Sequence, residues 1–477
     1  MSLLWTCDDL VSAMDGRPVG RMPEGVTGIS IDTRTLAPGE AFFAIKGENF
    51  DGHDFATAAM AAGAALMVVA EAKLPSLGRM SMPMIVVPDV LQALEKAGVA
   101  ARARSKARII AVTGSAGKTT TKEMLRHALA ASGAVHASDR SFNNHWGVPL
   151  TLARMPTDCD YAIFEIGMNH PGEIRPLVKM VRPHIAVITL IAAAHLGHFK
   201  NLDEIAAAKA EIFEGLEPDG HALVNRDDGK WKLLEKHARA AGVAHLWGFG
   251  EHARAQFKLL KYTEHPDSST ITARIGGHEV SARIGVPGRH IVQNALAVLG
   301  AAQLAGADLA KTALALASLV AERGRGKRHT LSHNGGSFTL IDESYNANPA
   351  SMKAALELLA SAPVGEGGRR IAVLGDMLEL GGHSAKLHAG LADAVAAANP
   401  DLVFLAGPEM KALAERLPAD IPAEYRAKTE ELQALVVQAV KPGDAVMVKS
   451  SNGVGFSRIV DALTKRFPAA AKNSHAA

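Results

Sequence analysis

The chain has 477 residues, 48% hydrophobic and 21% charged, with 51 Lys and Arg against 49 Asp and Glu. A net charge of +2 gives no electrostatic case for nucleic acid or an anionic membrane as partner, and the ordinary globular composition excludes large-scale disorder. At roughly 100 to 200 residues per domain the length predicts about three domains, and two cysteines, Cys7 and Cys159, are too few for a disulfide framework or a four-cysteine zinc site, which points to a reducing, cytoplasmic compartment.

The first ten residues have no basic flank and meet Asp8 early, so no signal peptide is expected. The longest uncharged stretch, 56–70, is too short for a bilayer and reads as a helix running into a buried strand at 65–70, so no membrane insertion is expected. Further strands are predicted at 84–87, 108–112, 161–164, 185–189, 371–374, 402–405 and 445–448, each a brief apolar run. Such runs alternate with Ala- and Leu-rich helical stretches, the pattern of an α/β fold with mainly parallel sheets. A basic helical segment at 101–106 and a Gly- and Arg-rich stretch at 323–328 suggest boundaries, giving domains 1–106, 107–327 and 328–477. The tail after Phe467 is expected to fray.

Strand 108–112 runs into Thr113-Gly-Ser-Ala-Gly-Lys-Thr119 and then a helical pattern. Strand, glycine turn and helix in this order present backbone N–H groups to a triphosphate. Gly114 and Gly117 permit close approach, Lys118 can reach the outer phosphates, and the Thr119 hydroxyl can face Mg2+; Thr113, Ser115, Ala116 and Thr120 complete the loop. The standard motif has Gly at position 112, where this chain has Val, so the loop is a shorter form. Glu165 closes the apolar run 161–164, where an isolated carboxylate needs either a metal cation or a buried salt-bridge partner. His195 and His198 follow strand 185–189 near the same sheet edge, and the residues alone do not choose between them. Lys209 falls among Leu202, Ile205, Ile212 and Phe213 at helical spacing. It is therefore either a snorkelling lysine or a buried neutral amine, and a neutral amine can take up CO2 to become an anionic carbamate ligand.

In this order, the loop, Glu165 in Glu-Ile-Gly-Met-Asn, His195 in Ala-Ala-His-Leu and Lys209 in Ala-Lys-Ala-Glu-Ile-Phe resemble the Mur ligase family, over nearly the whole chain. Segments 30–34 with 50–55, 142–149, 342–349 and 374–380 resemble the member that adds a D-alanyl-D-alanine dipeptide. The resemblance implies an N-terminal UDP-sugar-binding α/β domain, a central P-loop ATPase domain and a C-terminal Rossmann-like domain. It implies that ATP phosphorylates the terminal carboxylate of UDP-MurNAc-tripeptide and that D-alanyl-D-alanine attacks the acyl phosphate, in a monomeric enzyme. It further implies two Mg2+ ions, one served by Thr119 and Glu165, the other by His195 and a carbamylated Lys209. Asn294, on a helix after Pro287-Gly288, would contact adenine, and Asp342 the ribose. A linker arginine would contact phosphate, best matched by Arg328, with Arg325 as the alternative. Asp32, Thr33, Arg34, Lys46, Gly47, Asp51, Gly52 and His53 would surround the UDP moiety. Asn143 and Asn144 would contact substrate and phosphate, and Tyr345, Asn346 and Asn348 the dipeptide. Competing readings are a sibling or folylpolyglutamate synthase-like ligase taking a single amino acid, and a P-loop switch or motor ATPase.

Overall fold

A computed structural model describes residues 2–77, 80–139 and 141–470. Among the described residues three larger sheets follow one another along the chain, with a two-stranded ribbon of Trp5–Thr6 and Gly25–Val26 beside the first. The first has five strands in the order Arg17–Val19, Met84–Val87, Leu66–Ala70, Ala41–Phe43 and Ile29–Ser30, parallel except for Arg17–Val19. The helix Val90–Arg104 buries Val90, Leu94, Ala97 and Ala101 against it, and Asp89 caps the helix by accepting from Gln92 N–H. Leu150 and Ala153, on the central helix Gly147–Ala153, belong to the same apolar cluster. Across this junction Trp5 Nε1 donates to Ala153 O at 2.8 Å and Arg102 Nε to Val181 O at 2.8 Å. The first unit thus shares its core with the second.

The central sheet has nine strands. Tyr161–Glu165, Arg108–Thr113 and Ile185–Ile188 lie side by side and parallel, so their carboxyl ends open on one edge. The far side is an antiparallel meander, Phe257–Glu264, Ser269–Ile275 and His278–Ile284, which the expectation of mainly parallel strands did not include. Its residues alternate buried and exposed along Ser269–Ile275, as one covered face requires. The helix Arg289–Leu304 packs beneath the sheet and is apolar nearly all round, as a helix enclosed by its neighbours must be.

In the third sheet the hairpin Lys327–His333 and Gly336–Glu343 is followed by Ala445–Lys449, Arg370–Gly375, Leu402–Ala406 and Ala423–Arg426, all parallel. The tail does not fray at once after Phe467. Ser332 N–H donates to Pro468 O and Ala470 N–H to Thr330 O, both at 2.8 Å, and the chain from 471 onward lies outside the described residues. Among the described residues no helix is long and apolar enough to cross a membrane.

Candidate active site

The strand Arg108–Thr113 runs one residue beyond the expected end, and Val112 pairs with both Glu165 and Val187. Position 112 is therefore buried sheet interior, and the turn begins only at Gly114. Ser115 N–H donates to Leu190 O at 2.7 Å and Thr189 Oγ1 donates to Ala116 O at 2.5 Å, which fastens the turn to the neighbouring strand end. Gly114 has φ +152°, and a Cβ there would lie 1.9 Å from Thr189 Oγ1. Gly117, at φ +83°, would place a Cβ 2.7 Å from Asn294 Oδ1. Glycine is thus required at both positions, and Asn294 is packed against the turn.

A cavity of about 420 Å³ opens above this turn, between the second and third units. Residues 115–120 of the turn and its helix, Asn143, Glu165, His195 and Asn294 form its central-unit wall. Tyr345, Asn346 and Asn348 form the opposite wall, so residues more than 200 positions apart in sequence face one another. Asn348 caps the helix Pro349–Ala360 by accepting from Ser351 N–H and also donates to Ser115 O at 3.3 Å. Tyr345 donates to Ser141 Oγ at 3.3 Å.

Glu165 is buried at the strand's end. Its Oε1 accepts from Asn143 Nδ2 at 2.7 Å, whereas Oε2 has no partner. A buried carboxylate oxygen left bare beside a phosphate turn fits a hard cation. No group of three or more His, Cys, Asp or Glu gathers among the described residues, so a metal here would need oxygen ligands beyond protein carboxylates. Lys118 Nζ donates to Gly114 O at 2.7 Å. Burial pushes its ammonium below the usual lysine range; Glu165 opposes this and Arg325 adds to it.

Lys209 is 1% exposed and has no ion-pair partner among the described residues. Burial, reinforced by Lys118, holds its amine far below the ordinary lysine range. The apolar stripe has become a true interior position rather than a snorkelling one, which is the condition for a neutral, CO2-reactive amine. His195 stands on the cavity wall, while His198 is exposed and its ring lies 4.4 Å from that of His170. Of the two histidines, His195 lines the cavity and His198 does not.

Several expected residues stand elsewhere. Arg328 lies on the strand Lys327–His333, off the cavity, and donates to the Pro266 carbonyl. Arg325, in the preceding turn, lines the cavity with its guanidinium 4.3 Å over the Tyr345 ring. We therefore expect Arg325→Ala to raise the ATP concentration for half-maximal ADP formation about tenfold or more, the worth of a charge-assisted hydrogen bond. Arg328→Ala is expected to leave it within about twofold, and titration of both variants with ATP checks the order.

Asp342 is 0% exposed and does not line the cavity. It accepts from Gly324 N–H at 2.8 Å and from Ser344 Oγ at 2.6 Å, so both carboxylate oxygens are engaged within the chain. Asn144 accepts from Gly147 N–H and starts the helix Gly147–Ala153, also off the cavity.

The N-terminal candidates form a separate group, none of them on this cavity. Arg34 and Asp32 pair at 2.7 Å, with Thr33 between them, and Lys46 and Gly47 are exposed. Asp51 takes His53 at 2.6 Å and Lys73 at 2.8 Å. Burial works against its charge, but Lys73 and His53 hold its carboxyl well below the usual range. His53 Nε2 accepts from Ala70 N–H, and a Cβ on Gly52 would lie 2.7 Å from Ala44 C. Asp51, Gly52 and His53 are therefore tied into the fold of this segment, whereas the exposed Arg34 is paired with Asp32 and Lys46 is exposed.

Lys449 was missed by the sequence reading. It is 2% exposed, lines the cavity, and donates to Glu343 Oε2 at 3.2 Å and Asn346 O at 3.0 Å. It closes the apolar strand Ala445–Lys449 as Glu165 closes Tyr161–Glu165, so the same pattern could have found it.

A phosphate turn, a bare strand-end carboxylate and a second α/β unit facing both across one cavity are the features of an ATP-using enzyme. Family models agree with this architecture: Mur ligase family, catalytic domain, matches residues 25–102; Mur ligase middle domain matches 112–302; and Mur ligase, glutamate ligase domain, matches 324–452. The UDP-N-acetylmuramoyl-tripeptide--D-alanyl-D-alanine ligase of Escherichia coli (strain K12) is 35% identical over 439 residues, covering 91% of this chain and 93% of that protein. The protein of the same name from Rickettsia prowazekii (strain Madrid E) is 33% identical over 434 residues, covering 91% and 94%. The crystal structure of MurF from Acinetobacter baumannii superposes with a TM-score of 0.84 at 29% identity, covering 97% of this chain and 99% of that one. The chain belongs to the Mur ligase family.

Proposed function

We propose that this chain joins D-alanyl-D-alanine to UDP-MurNAc-tripeptide with ATP, through an acyl phosphate, and releases UDP-MurNAc-pentapeptide, ADP and phosphate. The observation that carries this is one cavity with a phosphate turn and the bare Glu165 carboxylate on one wall, and Tyr345, Asn346 and Asn348 of another unit on the facing wall. A switch or motor ATPase has no need of that second wall. The relatives named above at 33% and 35% identity support the dipeptide as the amine substrate over a single amino acid.

In this reading the turn 113–120 cradles the triphosphate with its N–H groups and Lys118 neutralises the outer phosphates. Asn294, which packs on Gly117, would contact adenine. Glu165 Oε2 and the Thr119 hydroxyl would hold Mg2+, whose charge would screen the triphosphate from the incoming carboxylate. His195 and a carbamate on Lys209 would hold a second. The tripeptide carboxylate takes the γ-phosphoryl group and ADP leaves. The amine then forms the C–N bond as phosphate departs with the C–O electrons, and the amine gives up a proton. Asn346 and Asn348 offer amides to the dipeptide, and closure between the walls keeps water from the acyl phosphate. Arg34 and Lys46 would meet the UDP diphosphate. Domains 1–106, 107–327 and 328–477 would act as sugar, ATP and amine modules in a cytoplasmic monomer.

The test is phosphate release from ATP with UDP-MurNAc-tripeptide, adding D-alanyl-D-alanine, D-alanine or L-amino acids separately. Turnover with the dipeptide alone is expected. Turnover with a single amino acid would replace the substrate assignment, and hydrolysis independent of any amine would overturn the ligase reading.

A further inference from the structure

The strand His221–Asn225 ends, like Tyr161–Glu165, in a polar residue that lines the cavity. Asn225 is 7% exposed, and its Oδ1 accepts from Asp227 N–H at 2.9 Å. An N–H calls for the amide oxygen, so the nitrogen is turned the other way, and Nδ2 makes no hydrogen bond among the described residues. Gln293, in the helix Arg289–Leu304 and one residue before Asn294, lines the same cavity. Its Nε2 donates to Asp227 Oδ2 at 3.4 Å and to Glu251 Oε1 at 3.3 Å. Carboxylates offer acceptors alone, so the nitrogen must face them and the oxygen must face away. Gln293 Oε1 is buried and has no hydrogen-bond partner. Asp227 thus holds both amides, and it is itself fixed by the N–H groups of Glu251 and His252, both at 2.7 Å.

A donor and an acceptor, both largely withdrawn from water and both without a partner, leave a demand that a ligand of the opposite pattern meets. We propose that Asn225 and Gln293 together set the base preference of the nucleotide site. Gln293 Oε1 accepts from the exocyclic amino group of adenine, and Asn225 Nδ2 donates to the ring nitrogen beside it. An amino group next to a ring nitrogen is the pattern that adenine presents on its edge. A 6-oxopurine such as guanine or hypoxanthine puts a carbonyl in place of the amino group. Two acceptors then face each other in a site with no water to part them. This rests on nucleotide binding at the turn 113–120 and adds a choice of base to it. Neither side chain touches a reacting atom; both act on which nucleotide is held.

The experiment measures equilibrium binding of ADP and of inosine diphosphate, each with Mg2+, to the full-length chain by calorimetry, and so needs no turnover. The parent is expected to bind ADP about tenfold or more tightly than inosine diphosphate, the difference between a hydrogen bond made and one opposed. Gln293→Met keeps the length of the side chain without its acceptor, and should bring the two affinities within about threefold of each other. A merely structural glutamine would weaken both nucleotides alike and leave their ratio unchanged. Asn225→Asp retains an oxygen for Asp227 N–H and exchanges the donor for an acceptor, so ADP affinity should fall about tenfold or more. Thermal unfolding verifies that both variants fold. Equal binding of the two nucleotides by the parent, an unchanged ratio in Gln293→Met, or full ADP affinity in Asn225→Asp overturns the proposal. Failure of the nucleotide reading would show separately, as binding of neither nucleotide by the parent.

Discussion

Lys118→Ala is expected to reduce ADP formation by about three orders of magnitude, the scale seen when a preorganised group facing developing charge is removed. The ammonium belongs to the turn itself, within hydrogen-bond reach of Gly114 O, and no other lysine or arginine of residues 113–120 can replace it. Its loss should not harm the fold. The buried ammonium gains one carbonyl and loses solvation, so alanine leaves the melting temperature near that of the parent or above it. Steady-state ADP release and a melting curve on the same preparation check both halves. Activity above about a tenth of the parent would remove Lys118 from phosphoryl transfer.

Lys209→Ala is expected to lower turnover by two to three orders of magnitude, with recovery of part of the loss on adding acetate or formate. The argument starts from burial: with no counter-charge beside it, burial and Lys118 hold the Lys209 amine well below the ordinary lysine range, which favours the neutral form a carbamate needs. Carbamylation would then restore a negative group beside cationic Lys118. Because alanine also leaves a cavity, Lys209→Met separates lost volume from lost chemistry. In 13C-bicarbonate the parent should show a carbamate carbon that both variants lack. Absence of that signal in the parent would leave Lys209 as a buried structural amine.

Much of this was legible in the sequence because the chemistry sits at strand ends. The runs before Gly114 and up to Glu165 announce both the strand and the point where a ligand waits beyond it, and the parallel pairing of Arg108–Thr113 with Tyr161–Glu165 follows from their apolar character. The periodicity around Lys209 set it on an apolar stripe, open to snorkelling or burial, and the fold buries it. Less legible was whatever depends on where a polar side chain turns once the chain is folded. Arg325 and Arg328 are three residues apart in similar surroundings, yet one precedes a strand and the other lies within it, which sends their guanidinium groups to different places. Asp342 looks available in sequence, but the linker's Gly324 and Ser344 claim its oxygens. The approach of Glu379 to His195 joins residues 184 positions apart, and neither segment alone implies the other.

The unequal seams between the three units divide the molecule thermally. First and second share one apolar cluster through Leu150 and Ala153, whereas the third meets the second through polar pairs such as Asn348 with Ser115, Tyr345 with Ser141 and Ser361 with Glu264, with Leu387 as a partly buried apolar contact. Polar seams exchange partners with water readily, while a shared core breaks only when the whole unit unfolds. Calorimetry should therefore resolve two cooperative transitions rather than three, with amide protons of the C-terminal unit becoming labile as one block ahead of the fused pair. Excising the N-terminal unit would strip the central one of part of its interior, whereas the C-terminal unit could be expressed by itself.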